Sequence, residues 1–479
     1  MAAVKRKDWS RYGKWFRRIL IDAGILDYRY PIKGCGVWLP YGFKIRRNVF
    51  QILRNLLDST GHDETLFPLM IPETALAKES SHVGSFEEEC YWVTHGGTDL
   101  LKIKYALRPT SETAIAPMLK LWVRSHADLP LKLYQIVNIF RYETKATRPI
   151  LRMREVSTFK EAHTSHATFE DAEEQVKEAI IVYKDFFDAM DVPYRISKRP
   201  EWDKFPGALY SVAFDMICPD GRTLQVGTVH NLGQNFSKAF DITYETEKGE
   251  QEHIWQTCYG ISGRAVAAVL TVHGDDYGVV LPPKIAPIQA VIIPIPYKNK
   301  AEQINKACKD IEIMLKKANV QVKLDLRADM RPGSKFYYWD LRGVPIRIEI
   351  GPKDIEQNEA TIVRRDTLEK QTCKISGLVK TIQELMRTMM KDLRLRAWKW
   401  MDERVHRVDN LEDAKKLIAR KEGIVEVLWC GNVKCGQKLE EVIGARVLGV
   451  PMDIEEKIDG NCVICGKTAA DIIRVAIAY

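Results

Sequence analysis

Four cysteines near the end of the chain stand in two close pairs. Cys430 and Cys435 are spaced C-x4-C, Cys462 and Cys465 C-x2-C, with Gly431, Gly436 and Gly466 beside them. Two short pairs joined by a longer loop can converge on one cation, and four thiolates suit tetrahedral Zn2+. Four protein ligands leave no open position, so the spacing points to a structural rather than a catalytic zinc. The alternative is four unrelated thiols. The other cysteines (Cys35, Cys90, Cys218, Cys258, Cys308 and Cys373) are scattered singly, as reduced thiols usually are.

A second group is built on arginine. In LYQIVNIFRYETKATRPILRMREVSTFKEAHT, Leu133 to Thr164, period-two alternation puts Val137, Ile139, Arg141 and Glu143 on one face of a strand. A polar turn with Lys145, Arg148 and Pro149 follows, and Arg152 and Arg154 share a face on the return. An isolated R-x-E is most simply an exposed cross-strand ion pair. Several arginines converging beside buried apolar residues instead suit a polyphosphate or a carboxylate, and Glu143 could hold an amine or a metal.

Three further segments carry polar groups that the same chemistry could use. LRPTSETAIAPMLKLWV begins a helix near Thr110. Thr110 reads as its N-cap and Glu112 as a first-turn acid favoured by the helix dipole, and the same two groups can receive a cationic amine. LQVGTVHNLGQNFSKAF is a strand carrying Gln225, Thr228 and His230; simple alternation separates Gln225 from the other two, so a shared site requires a bulge at Gly227. YGISGRAVAAVL places Arg264 after a glycine-rich turn at the start of an apolar helix, which aims a cation and free N–H groups at phosphate.

The elements that must position these groups follow from length and texture. The chain has 479 residues, which at about 150 residues per domain suggests three domains. It is 46% hydrophobic and 28% charged, with a net charge of +8. That composition excludes a disordered tail protein, and the modest basic excess fits a polyanion bound over part of the surface or plain solubility. No window approaches the roughly 18 consecutive apolar residues of a membrane span. The basic first residues, MAAVKRKDWSRYGKWFRR, lack a secretory apolar core, and Asp8 and the aromatics argue against a transit peptide, so a cytoplasmic protein is expected.

A helix is expected from Thr168 to Met190, capped by Thr168 and followed by Pro193. The proline-rich stretch Leu281–Gln289 reads as a linker into a compact α/β module of about a hundred residues. A long charged helix from Leu378 to Val405 leads on to the cysteine-bearing tail.

In this order, the segments resemble a class II aminoacyl-tRNA synthetase, specifically the prolyl-tRNA synthetase family of the archaeal and eukaryotic type, over nearly the whole chain. GHDETLFPLMIP with Pro68 is similar to the first class motif, which lies at the dimer interface; FRYE and the return strand to the second; GISGR to the third. RPTSE, LQVGTVHNLGQNFSKAF, HGDDYGVVLPP and GVPIRIEIGPKD are similar to wording of the prolyl family, and no HIGH or KMSKS sequence of a class I enzyme is present.

The resemblance implies an α+β and α/β multidomain chain. A class II antiparallel sheet with flanking helices would occupy residues 1–283, an α/β anticodon-binding domain 284–375, a connecting helix 376–405, and a small zinc-binding α+β domain 406–479. It implies a homodimer that activates L-proline with ATP and Mg2+ and charges tRNA(Pro). Arg141 and Arg264 would be catalytic, with Thr110, Glu112, Arg141 and His230 receiving proline. Arg141, Glu143, Arg152, Met153, Gln225, Thr228, Ser262 and Arg264 would bind ATP, Glu143 and Gln225 lying near magnesium. Arg347, Glu349 and Lys353 would meet the anticodon, and the four cysteines would hold zinc. The basic N-terminal helix would either touch tRNA or stay solvated.

Three departures from the family wording stand out. REVSTFKEAHT is one residue longer than the expected REFLWQEGHT, so either Val156 or Phe159 lies against adenine. Gly263 replaces a common hydroxyl residue, so its backbone N–H would take over that contact. The interval from Phe187 to Arg222 is too short for an editing insertion, so alanine or cysteine could be activated and not hydrolysed in cis. The competing readings are a class II enzyme for threonine or glycine and a non-catalytic tRNA-binding paralogue.

Overall fold

The alternating apolar residues of the arginine-bearing segment form two long antiparallel strands, Leu131–Phe140 and Glu155–His166. The central sheet is built on them. Trp255–Ser262, Thr223–Gly233, Tyr210–Ile217 and Arg195–Lys198 add in turn on one side, each antiparallel to its neighbour, and the short strand Asp63–Glu64 pairs parallel at the other edge. The structure is a computed structural model describing residues 11–78, 87–297 and 300–479. Of the basic N-terminal segment, residues 1–10 lie outside that range; helix Tyr12–Asp22 is inside it and buries Tyr12, Phe16, Ile19 and Leu20.

Two bulges decide which side chains face the same way. Val137 pairs with Phe159 and Ile139 with Val156, so three residue steps on one strand oppose two on the other. This bulge falls within REVSTFKEAHT. Further along the sheet, Phe214 pairs with Gly227 and Asp215 with Gln225, leaving Val226 as the inserted residue. A bulge shifts the alternation by one and brings residues of opposite parity onto one face.

Helices Pro40–Ser59, Phe169–Asp188 and Arg264–His273 cover one face of the sheet. The Phe169–Asp188 helix matches its expected span, and the Thr168 hydroxyl accepts the Asp171 N–H at 3.1 Å as an N-cap should. The interval after Phe187 is filled by a turn and two strands of the sheet itself, with no separate domain.

The α/β module is a five-stranded sheet in the order Val322–Leu324, Ala290–Pro294, Ile346–Ile350, Glu359–Arg364, Lys370–Lys374. Its first three strands are parallel and its last two antiparallel. Helix Ala301–Lys317 buries Ile304, Cys308, Ile311 and Leu315 against it. A buried ion pair joins this module to the central body: Arg365 donates from both terminal nitrogens to Asp275, each at 2.7 Å.

The tail holds strands Val405–Arg407, Ile424–Trp429, Asp471–Ala476 and Arg446–Pro451 with helices Leu411–Arg420 and Val433–Ile443. These strands are not a detached sheet. Val450 pairs with Lys198 and Pro451 with Ser197, so the tail and the central body share one eleven-stranded sheet. At the seam Gly449 has φ +119°, and a Cβ there would lie 2.0 Å from the Lys198 carbonyl. Only glycine fits so close an approach at that backbone angle. Among the described residues, no helix is long and apolar enough to cross a membrane.

Candidate active site and metal centre

The uncovered face of the sheet carries a cavity of about 330 Å3. Every residue expected to bind proline or ATP lines it: Thr110, Glu112, Arg141, Glu143, Arg152, Met153, Gln225, Thr228, His230, Ser262 and Arg264. The two bulges make this possible. One brings Gln225 onto the same face as Thr228 and His230; the other lets both Val156 and Phe159 reach the cavity.

One end of the cavity is cationic. Arg264 opens its helix and donates from Nε to the Leu151 carbonyl at 2.7 Å and from Nη1 to the Gln225 carbonyl at 3.2 Å. Burial, and then the nearby charges of Arg152 and Arg141, pull its pKa down to about 10. Three guanidinium groups thus share one volume with Glu143, whose carboxylate lies 3.9 Å from Arg152 Nε, while the charges of Glu89, Glu112 and Glu161 also act on Arg141. Arg141 is fixed by donating from Nε to the Pro109 carbonyl at 3.0 Å. This repulsive arrangement is relieved by a polyanion. Arg154, expected on the face of Arg152, turns away and lies over the Tyr142 ring at 4.0 Å. The Gly263 N–H is also unavailable to a ligand, because it donates to the Thr158 carbonyl at 2.8 Å.

The other end holds two buried carboxylates, Glu112 and Glu161. The helix Glu112–Trp122 has Ser111 rather than Thr110 at its N-cap position. Thr110 donates its hydroxyl to Glu112 Oε2, and the Cys258 thiol donates to Glu112 Oε1 at 3.0 Å. Burial, then Glu112, push the Cys258 thiol well above its usual range, so it stays protonated. Beneath lies Glu161, which accepts from Ser111 and, at 2.9 Å, from Gln135. Burial alone would raise its pKa, yet His163, Ser111 and Gln135 outweigh that and hold it low. His230 hydrogen-bonds through Nδ1 to Ser211 Oγ at 2.7 Å and packs on Phe205 at 4.8 Å between ring centres. Burial, then the charges of Arg199 and His163, bring its pKa to about 3, so it is a neutral wall.

Several lining residues gave no signal in the sequence. Arg199, Lys204 and Phe205 come from the irregular stretch between two strands, Ser211 from the start of the second of these, and Cys258 and Glu161 looked like ordinary strand residues. Arg199 is the most connected. It donates to the Leu448 carbonyl at 3.0 Å, to Asp215 at 3.0 Å and to Gln225 Oε1 at 2.9 Å.

The four tail cysteines converge as their spacing suggested. Their sulfurs lie within 4.8 Å of one another, with Cys430 and Cys465 at 3.6 Å. A tetrahedral Zn–S site with bonds of about 2.3 Å has sulfur–sulfur edges of about 3.8 Å, whereas a disulfide needs about 2 Å. The donor set therefore fits zinc. In the α/β module, Arg347 and Glu349 are tied to each other at 3.0 Å, and Arg347 also donates to Asp340. They are only 7% and 4% exposed, so a base contact would first have to draw Arg347 off Asp340, whereas Lys353 stands exposed.

An antiparallel sheet with three convergent arginines on its open face, carrying an α/β module beside it, defines a class II aminoacyl-tRNA synthetase. Residues 91–273 match the family described as tRNA synthetase class II core domain (G, H, P, S and T), and residues 289–385 the anticodon binding domain. Within that class the chain belongs to the proline–tRNA ligase family: residues 411–479 match the prolyl-tRNA synthetase C-terminal domain, and its curated relatives align from end to end. The proline–tRNA ligase of Methanopyrus kandleri is 53% identical over 100% of this chain and 98% of that protein. That of Metallosphaera sedula is 53% identical over 99% of this chain and 100% of its own length, and that of Pyrococcus abyssi 51% identical over the same shares. The solved structure of Giardia lamblia prolyl-tRNA synthetase in complex with prolyl-adenylate superimposes with a TM-score of 0.96 at 36% identity, covering 100% of both chains.

Proposed function

We propose that this chain activates L-proline with ATP, releasing pyrophosphate, and transfers the prolyl group to the 3′ end of tRNA(Pro), with the work divided along the cavity. The observation that carries this reading is the convergence of Arg141, Arg152 and Arg264 at one end and the Glu112–His230 enclosure at the other. Glu112, with Thr110 orienting it, accepts the N–H groups of proline's ammonium. Phe205 and the neutral His230 close around the ring. The carboxylate then lies beside Arg141, which draws it onto the α-phosphorus and stabilises the added negative charge as pyrophosphate leaves. Arg152 and Arg264 hold phosphates and cover the adenine, with Met153, Val156, Phe159, Thr228 and Ser262 completing the nucleotide site. Glu143 and Gln225 offer oxygen atoms to Mg2+, which when bound neutralises phosphate charge.

The four-cysteine site holds a structural Zn2+, and its closed donor set gives it no part in the reaction. Lys353, with Arg347 and Glu349, meets the tRNA anticodon. The protein works as a cytoplasmic homodimer. Exposed apolar side chains support the dimer: Leu66 is 78% exposed and Leu100 74%, with Met70, Ile103, Leu121 and Trp122 also exposed. The domain division at residues 1–283, 284–375, 376–405 and 406–479 is retained, with the tail seated on the central sheet.

Proline-dependent ATP–pyrophosphate exchange tests the reading. Wild type should exchange with proline, and Arg141→Ala should lose at least about 100-fold in rate while binding tRNA as before. Exchange with threonine or glycine and none with proline would overturn it.

A further inference from the structure

The floor of the proline pocket contains a set of donors that the activation chemistry does not use together. Cys258 and His163 sit directly opposite each other on neighbouring strands, and Glu112 approaches them from the first turn of its helix. One donor atom from each of the three lies within 4.8 Å of the other two. All three are buried, at 5% exposure for Glu112, 7% for His163 and 6% for Cys258. Among the described residues His163 Nε2 makes no hydrogen bond, and the nearest carboxylate oxygen, on Glu161, is 3.6 Å away. A buried ring nitrogen left with only so long a contact to one carboxylate is uncommon, because the lost hydration is poorly replaced.

We propose that Glu112, His163 and Cys258 form a second metal site, which takes a thiophilic divalent cation such as Zn2+ and excludes proline while it is filled. Carboxylate, imidazole and thiolate are three ligands of the kind zinc accepts with a fourth position left open. The sulfur and nitrogen donors select against Mg2+, which needs oxygen ligands, so the site is distinct from the one serving ATP. On binding, the Cys258 proton now shared with Glu112 leaves to solvent and a metal–sulfur bond takes its place. Glu112 is then engaged by the metal, and the added positive charge repels the ammonium of proline. This exclusion rests on the assignment of Glu112 to the substrate amine; the metal site itself does not.

The test uses the full-length protein with its tail site filled by zinc, titrated with Co2+. One further equivalent per chain should bind with a thiolate-to-cobalt charge-transfer band. That band should disappear in Cys258→Ser and in His163→Gln, each checked for folding by thermal melting, and saturating proline should displace it. Zn2+ should inhibit ATP–pyrophosphate exchange competitively, raising KM for proline with kcat unchanged, and a chelator should restore activity. No further equivalent in the wild-type titration, or uptake undiminished in the folded variants, would overturn the site. Binding that is lost in the variants but indifferent to proline would uphold the metal and overturn the exclusion.

Discussion

Arg199 illustrates how one side chain can serve both a site and its scaffold. Its guanidinium holds the Gln225 amide oxygen in the cavity, pairs with the buried Asp215, and reaches the Leu448 carbonyl in the tail. Burial pushes the Asp215 pKa up and Arg199 opposes it, so removing the cation would leave a buried carboxyl without its partner. Arg199→Met should therefore cost about 3 kcal/mol of stability, seen as a lower Tm, and raise KM for ATP; Arg199→Lys should recover much of the stability and less of the KM. The residues that sequence reading placed in the cavity share one property, a distinctive type in a distinctive string. Arg141 in FRYE and Arg264 after GISG are such cases, whereas Arg199 lies in a stretch without periodicity, and its partners come from 16 to 249 residues away.

At the level of elements, the bulges show what pattern can and cannot predict. The alternation in LQVGTVH does not put Gln225 and His230 together, so Gly227 was the visible clue, and the inserted residue proved to be its neighbour Val226. The helix Phe169–Asp188 was legible from its period and cap, but the strain just after it was not. Asp191 has φ +57° and an unbonded buried carboxyl oxygen. Burial raises its pKa to about 6, Arg394 opposing and Asp188 adding to the effect.

Because the folded-state value lies above the unfolded 3.8, the folded protein binds the proton more tightly, and stability falls as pH rises from about 4 to about 6. Asparagine tolerates the same backbone angle without the charge. Asp191→Asn should gain about 1–2 kcal/mol at pH 7–8, and the gain should vanish below pH 4 in denaturant unfolding. At the seam strand, Gly449→Ala forces a methyl group into the Lys198 carbonyl at a backbone angle alanine resists. It should cost about 3 kcal/mol, read as a lower melting temperature with the zinc content of the tail retained.

In the whole molecule, three bodies that the sequence separates by linker and helix are joined by buried polar contacts. Composition shifts marked the linker and the change of texture, because they are local; the joints are not local and left no trace. Arg365 and Asp275 are 90 residues apart, and although Asp275 lies in HGDDYGVVLPP, nothing in the sequence pairs it with Arg365. Breaking this pair leaves an uncompensated buried charge between the α/β module and the central body. Arg365→Met should destabilise by about 3–5 kcal/mol. It should also slow tRNA charging more than ATP–pyrophosphate exchange, since only charging needs the module held in place; equal losses in the two assays would count against a coupling role.

The shared sheet has a consequence for the order in which the molecule is made. Strand Arg195–Lys198 is covered on its outer side by Arg446–Pro451, and Val450 follows Lys198 by 252 residues. At about 5–20 residues per second, a ribosome spends roughly 13–50 s on that interval. Once synthesis has passed Arg264, the nascent central body presents a bare row of backbone N–H and C=O groups beside an ATP site that is otherwise finished. Such an edge invites pairing with a neighbouring nascent chain. Slow decoding or a stall within the anticodon module would therefore show itself as aggregation of the catalytic half, and a chaperone that shields strand edges would be of most use during that interval.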